Sequence, residues 1–170
     1  PVFSDQLSVV RALSASIPSG YYLAVKDYPL QAGYRPFTFY KQIKRLPNVK
    51  LFHRNFKSSL LTEKSDLLVT ISGSAGFEAA LRMKKVLLMG KTFYESIFGI
   101  KIVNDYKDLH LFIKEALLTK IDKVKMEKSI NAFLAAILEI TLKSKKDKKN
   151  NNEDMVYSAE RLLKLLKMQK

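Results

Sequence analysis

Short apolar runs rich in β-branched and aromatic residues alternate along this chain with longer segments that have helical spacing. The short runs predict strands at residues 21–26, 49–52, 67–71, 85–89 and 101–103. The longer segments predict helices at residues 4–16, after residue 36, and at 58–64, 77–82, 108–118, 126–142 and 155–168. Such alternation is typical of βαβ units, so we expect an α/β, Rossmann-like three-layer domain with a mainly parallel sheet of about four to five strands and a helical C-terminal tail.

The pattern changes in the last third of the chain, where every predicted element is a helix. We therefore place a Rossmann-like domain at residues 1–120 and a C-terminal helical extension at residues 121–170. Residues 143–152 are a basic, asparagine-rich connector that we expect to stay solvated. The strands at residues 67–71 and 85–89 are almost continuously apolar, which is typical of central strands covered on both faces.

Composition narrows the classes of function. Thirty Lys and Arg against sixteen Asp and Glu give a net charge of +14, which attracts phosphate, nucleic acid or acidic lipid. There is no cysteine, and the two histidines, His53 and His110, lie far apart, so we predict no disulfide, no metal site and no cofactor. No apolar run reaches the roughly 20 residues of a membrane span, and we expect a cytoplasmic protein.

The segment most suggestive of chemistry follows the third predicted strand and precedes a helix. It consists of small residues, which we call the serine-glycine loop: Ser72, Gly73, Ser74, Ala75 and Gly76. A helix start presents free N–H groups and a positive dipole end, and glycines let the backbone approach a phosphate. The residues alone favour equally an ordinary turn in which Ser74 is only the N-cap. Glu78, one turn into the helix, would cap its start or accept hydrogen bonds from a sugar hydroxyl.

A second loop is expected at the same edge of the sheet, because the carboxyl ends of parallel strands meet there. After the first strand, Lys26 and Tyr28 offer a cation and a hydroxyl to a phosphate, and Arg35 follows in the next loop. The alternative, which the residues favour slightly, is that Pro29 ends the strand while Tyr28 packs.

The loop after the fourth strand carries Lys91 and Tyr94, which we expect to project either as ordinary surface or towards a ligand. The serine-glycine loop matches neither common phosphate motif, since it contains no Gly-Lys-Ser/Thr and no spaced triple glycine, and this disfavours an ATPase or a dehydrogenase. His53 is interpreted as a surface histidine rather than a general base. Aromatic and basic residues after residue 36 fit an amphipathic helix better than a nucleic-acid surface, so we predict no nucleic-acid partner.

Five segments together resemble a known family. They are Val-Lys-Asp-Tyr-Pro at residues 25–29, Gly-Tyr-Arg-Pro at 33–36, Leu-Pro-Asn-Val at 46–49, the strand-loop-helix block at 65–79, and Lys-Thr-Phe-Tyr at 91–94. They are similar to the C-terminal half of capsule polysaccharide biosynthesis proteins, over roughly residues 20–110. These are glycosyltransferase-like proteins of GT-B architecture, with two Rossmann-like domains across a cleft, and several transfer the acidic sugar Kdo from its cytidine monophosphate donor.

The resemblance implies that this chain holds the activated sugar, while a separate N-terminal domain supplies the acceptor site and much of the catalytic machinery. The family more often has a His-Pro pair where this chain has Tyr28-Pro29, and that histidine is expected to contact the donor phosphate. No catalytic residue is assigned in this chain. The donor-binding and phosphate-binding candidates are Lys26, Tyr28, Arg35, Ser72, Gly73, Ser74, Ala75, Gly76, Glu78 and Lys91.

We therefore expect the donor-binding domain of a glycosyltransferase in bacterial capsule or surface polysaccharide biosynthesis. Because the chain begins at Pro1 without methionine, we expect a processed or excised piece of a longer protein. The resemblance implies that the missing piece is the N-terminal half and that the chain acts as a transferase when joined to it. The expected partners are a nucleotide-sugar donor, with a cytidine monophosphate sugar favoured, and a growing polysaccharide or glycolipid acceptor. The alternative is a non-catalytic scaffolding or membrane-docking domain of the same pathway, whose basic surface docks on acidic lipid at the inner face of the membrane or on a partner enzyme.

Overall fold

The computed structural model describes residues 5–27 and 35–147, with side chains up to residue 139. The helices are α1 (Gln6–Ser16), α2 (Phe37–Lys44), α3 (Ser58–Lys64), α4 (Ser74–Leu81), α5 (Leu109–Leu118) and α6 (Lys123–Asp147). The strands are β1 (Leu23–Lys26), β2 (Val49–Phe52), β3 (Leu68–Thr70), β4 (Val86–Leu88) and β5 (Ile100–Ile102). The five predicted strands are all present and the α/β, Rossmann-like class is confirmed, whereas the helix predicted at residues 155–168 lies outside the described residues.

The strands form two parallel ladders. In one, β1 pairs with β2 so that Leu23 lies opposite Val49. In the other, β4 lies between β3 and β5. Within the described residues no hydrogen-bonded ladder joins β1 to β3, and a cleft opens between these two strands. The parallel sheet predicted from the sequence is therefore divided between its first and third strands.

Helices cover both faces of the three-stranded ladder. Alternate residues of β4 point in opposite directions, so Val86 and Leu88 pack in one buried cluster with residues of α4 and α6. Leu87 packs in a second cluster with residues of α1 and α5. This arrangement gives the three layers expected of the class, and β4 is buried along its whole length. β3 is only half-buried, contrary to expectation, because its outer edge borders the cleft.

The long helix α6 contributes to the core of the domain. Met126, Ile130 and Leu134 recur at a spacing of four residues, are 0%, 3% and 6% exposed, and pack against α4 and β4. The division proposed at residue 120 stays a prediction. The helix continues to Asp147, so the first part of the connector predicted at 143–152 is helical, because lysine is a good helix former. Among the described helices, none is long and apolar enough to cross a membrane.

α3 spans the predicted residues and starts without a side-chain cap. Ser58 and Ser59 are helical residues, and the N-cap is Lys57, which makes no side-chain capping hydrogen bond. Nearby, Lys84 donates to the carbonyl oxygens of Glu63 (2.6 Å) and Ser65 (3.1 Å), which ties the end of α3 to the segment before β4.

Candidate functional site

The serine-glycine loop lies between β3 and α4 and is open to solvent. Its first four residues are exposed, and Gly76 is buried. Gly73 is the N-cap of α4, in extended conformation with φ −78° and ψ 155° and no side-chain cap. Ser74 is the first helical residue, so the alternative in which Ser74 is the N-cap is wrong. The Ser74 side chain is exposed at the helix start, where anions are favoured.

Three hydrogen bonds fix the backbone of this loop. The Gly73 amide donates to the Thr70 hydroxyl (3.1 Å), and the Gly76 amide donates to the Gly73 carbonyl (3.2 Å). The Tyr94 hydroxyl also donates to the Gly73 carbonyl. In the part of the chain that the structure describes, no acceptor is bonded to the amides of Ser74 and Ala75. Two adjacent N–H groups at the positive end of α4 are thus available to an anion.

Two glycines of this region have a packing role. A Cβ on Gly76 would lie 2.5 Å from the Tyr94 hydroxyl oxygen and 2.9 Å from Thr70 Cγ2. A Cβ on Gly90, after β4, would lie 2.9 Å from the Ile71 carbonyl oxygen. Glycine at both positions lets α4 and the loop after β4 lie close against the end of β3. Gly76 thus supports the site and, being buried, does not present a surface to a ligand.

Tyr94 is a structural residue of the site that the sequence interpretation missed. We expected it to project from the third loop, but it is 1% exposed and packs edge to face against Phe93 and close to Phe77. Burial raises the pKa of Tyr94, so its hydroxyl stays protonated and remains a donor to Gly73. The role of Thr70 was also missed, although threonine side chains commonly hydrogen-bond to nearby backbone groups.

The cleft between β1 and β3 has a volume of about 930 Å³. Its walls come from β1, β3, α1 and α3. Of the predicted site residues, those that line it are Lys26, Ser72, Gly73 and Ala75. The end of the first strand and the serine-glycine loop therefore line one cavity. The sequence analysis expected these two loops to lie close together.

Arg35 is held beside the end of β1 by a carboxylate. Its Nε lies 3.3 Å from Asp27 Oδ1, both side chains are 15% exposed, and its guanidinium stacks 4.5 Å from the Phe39 ring centre. The Tyr40 hydroxyl donates to the other oxygen of Asp27 (2.6 Å), and this hydrogen bond raises the pKa of Tyr40. Arg35 does not line the cleft, and its charge is engaged by Asp27. Tyr28 lies outside the described residues.

Two other candidates lie away from the cleft. Glu78 is exposed on α4 with its carboxylate 3.8 Å from Arg82, one helical turn later, so it does not cap the helix as expected. Lys91 is exposed after β4 and does not line the cleft. His53 is also exposed, and its Nδ1 accepts from the Asn55 amide (3.3 Å). Across residues 5–27 and 35–139, no group of three acidic or histidine side chains is placed to hold a metal ion.

Parallel strands, helices on both faces and a cleft beside a strand-end loop define an α/β protein of the Rossmann-like class. The family model for "Capsule polysaccharide biosynthesis protein" matches residues 3–138, which is most of the chain. The chain therefore belongs to this family, and its role lies in capsule polysaccharide synthesis. Comparisons with curated proteins and with solved structures found no match.

Proposed function

We propose that this chain is the nucleotide-sugar donor-binding domain of a GT-B-type glycosyltransferase of capsule synthesis. In this proposal the donor is a cytidine monophosphate sugar, and the acceptor is a growing polysaccharide or glycolipid. A separate N-terminal half would contribute the acceptor site and the catalytic groups, and no catalytic residue is assigned here. The family membership supports the pathway, and the geometry of the serine-glycine loop supports the ligand class.

The observation that carries the proposal is the pair of unbonded amides beside an open cleft. The amides of Ser74 and Ala75 point out of the positive end of α4, where a phosphate is stabilised by both hydrogen bonds and the helix dipole. A volume of about 930 Å³ is large enough for a nucleotide sugar. Lys26, on the opposite wall, supplies a cation, and the Ser72 hydroxyl supplies a further donor.

These groups suit the chemistry of sugar transfer. When the bond between the sugar and the nucleotide phosphate breaks, negative charge develops on the departing phosphate. Preorganised N–H groups and a cation stabilise that charge without having to reorient during the reaction. The packing of Tyr94 and Thr70 on the Gly73 backbone keeps the two amides in position. We therefore narrow the proposed phosphate site to Lys26 and the first four residues of the serine-glycine loop.

Calorimetric titration with cytidine and uridine monophosphates tests the proposal. We expect a dissociation constant of about 1 mM or lower for a cytidine nucleotide. Ala75→Asp and Ser74→Asp should each weaken binding by at least about tenfold, because a carboxylate repels the phosphate. Ala75→Asn and Ser74→Asn are the matched neutral controls. An aspartate in the first turn favours the helix, so the charged variants should remain folded.

The proposal fails if neither nucleotide binds, or if the aspartate and asparagine variants bind equally well. Lys26→Gln gives an independent measurement from the opposite wall of the cleft, with Lys107→Gln as an exposed control outside it. Absence of nucleotide binding would leave the non-catalytic scaffolding domain as the better hypothesis.

A further inference from the structure

A second hollow lies on the surface between α1 and α2. Its volume is about 480 Å³. The residues that line it are Arg11, Thr38, Lys41, Gln42, Arg45 and Leu46. None of them lines the cleft between β1 and β3, so the hollow is a separate feature of the molecule. We call it the basic hollow.

The lining of the basic hollow contains three cations and no carboxylate. Arg11, Lys41 and Arg45 are exposed, and none of them belongs to the ion pairs of the described residues, which engage Arg35, Arg82, Lys101 and Lys125. Lys41 and Arg45 are four residues apart, where like charges on a helix repel each other. Arg11 interacts electrostatically with the carboxylate of Asp5. That carboxylate already accepts three hydrogen bonds as the N-cap of α1.

Helix electrostatics explain only part of this cluster. The helix dipole favours cations at the C-terminal end of α2, which accounts for Lys41 in the last turn and for Arg45 at the C-cap. Arg11 lies in the middle of α1, where the dipole gives no such benefit. Its guanidinium donates to the Gln42 side-chain carbonyl, which holds it across the gap between the two helices. The three charges are therefore brought to one hollow by tertiary packing.

We propose that the basic hollow binds a phosphate ester. Guanidinium groups offer paired N–H donors that match phosphate oxygens, and Arg11 and Arg45 approach the hollow from different helices. Lys41 adds a third charge, and the Thr38 hydroxyl adds a neutral donor. A bound dianion would neutralise the repulsion between Lys41 and Arg45. The site is independent of the proposed donor cleft, and its phosphate comes either from a soluble sugar or polyol phosphate or from a phospholipid headgroup.

The test has two arms that distinguish these sources. In the first arm, glycerol 1-phosphate is titrated into the protein, and binding is followed by the chemical-shift changes in its NMR spectrum. In the second, co-sedimentation is measured with vesicles of phosphatidylglycerol and, for comparison, phosphatidylcholine. The site variants are Lys41→Gln/Arg45→Gln and the same pair with Arg11→Gln. The double variant leaves the contact between Arg11 and Gln42 intact, so it guards against a loss of folding.

A matched control removes the same number of positive charges at Lys114, Lys120 and Lys128. These lysines are exposed on or next to α5 and α6 and lie outside both cavities. We expect the double site variant to weaken glycerol phosphate binding by at least about tenfold. If the source is lipid, we expect about fivefold weaker vesicle binding for each cation removed. The control variant should bind as the unmodified chain does in either case. The proposal is overturned if neither ligand binds, or if the control and site variants lose binding equally.

Discussion

Replacing Gly76 with alanine should destabilise the protein, although the same change stabilises most helices. Glycine within a helix is less favourable than alanine by about 0.5–1 kcal/mol, so propensity alone predicts a gain. At Gly76, however, the added Cβ would lie 2.5 Å from the Tyr94 hydroxyl oxygen, 2.9 Å from Thr70 Cγ2 and 3.1 Å from Tyr94 Cε2. Real Cβ atoms do not approach so closely, so α4 or Tyr94 must move.

The magnitude follows from three contributions. Forcing a methyl group into a packed site costs about 1–3 kcal/mol. Displacing the Tyr94 hydroxyl weakens its hydrogen bond to the Gly73 carbonyl, which contributes about 1 kcal/mol. The gain in helix propensity offsets about 1 kcal/mol. We therefore expect Gly76→Ala to lower the free energy of unfolding by about 2 kcal/mol.

Urea unfolding followed by circular dichroism measures this change, and a double-mutant cycle with Tyr94→Phe assigns its cause. Phenylalanine removes the nearest atom to the new Cβ, so Gly76→Ala should cost about 1 kcal/mol less in the Tyr94→Phe background. The reasoning would be refuted if Gly76→Ala stabilised the protein, or if it cost the same in both backgrounds. Either result would mean that the hydroxyl of Tyr94 does not press against α4.

Three further predictions concern other parts of the fold. Met126→Ala should lower the free energy of unfolding by about 2–5 kcal/mol because its side chain is fully buried, and a negligible change in urea unfolding would instead favour a separate helical extension. Lys85→Met should cost about 1–3 kcal/mol, because Lys85 donates to two carbonyls at the end of α5, whereas Lys114→Met at an exposed position of the same helix should cost little in the same assay. The raised pKa of Tyr40 means that stability from its bond to Asp27 is complete below the ordinary value of 10.0 and is lost as pH rises through the raised value. Asp27→Asn should bring the pKa of Tyr40 back towards that value in a tyrosinate absorbance titration, and an unchanged titration would contradict the assignment.

Local sequence predicted most of the secondary structure. Residues 49–52 form β2 at the predicted bounds, and the other strands differ from prediction by one or two residues at their ends. This success has a simple cause, because β-branched runs and helical spacing are properties of neighbouring residues. The serine-glycine loop was found in the same way, since small residues between a strand and a helix mark a helix start that can face an anion.

The roles of individual side chains depended on partners distant in the sequence. Gly76 was interpreted as part of a phosphate loop, but its buried position is set by Tyr94, eighteen residues later. Arg35 is a predicted phosphate-binding candidate, and its ion pair with Asp27 could not be foreseen from the sequence. The separation of β1 from β3 could not be predicted from the sequence either, because packing between elements decides which strands pair. Sequence alone thus determined the class of fold and the position of the loop, while tertiary contacts decided which side chains face the cleft, because those contacts join residues that no local pattern links.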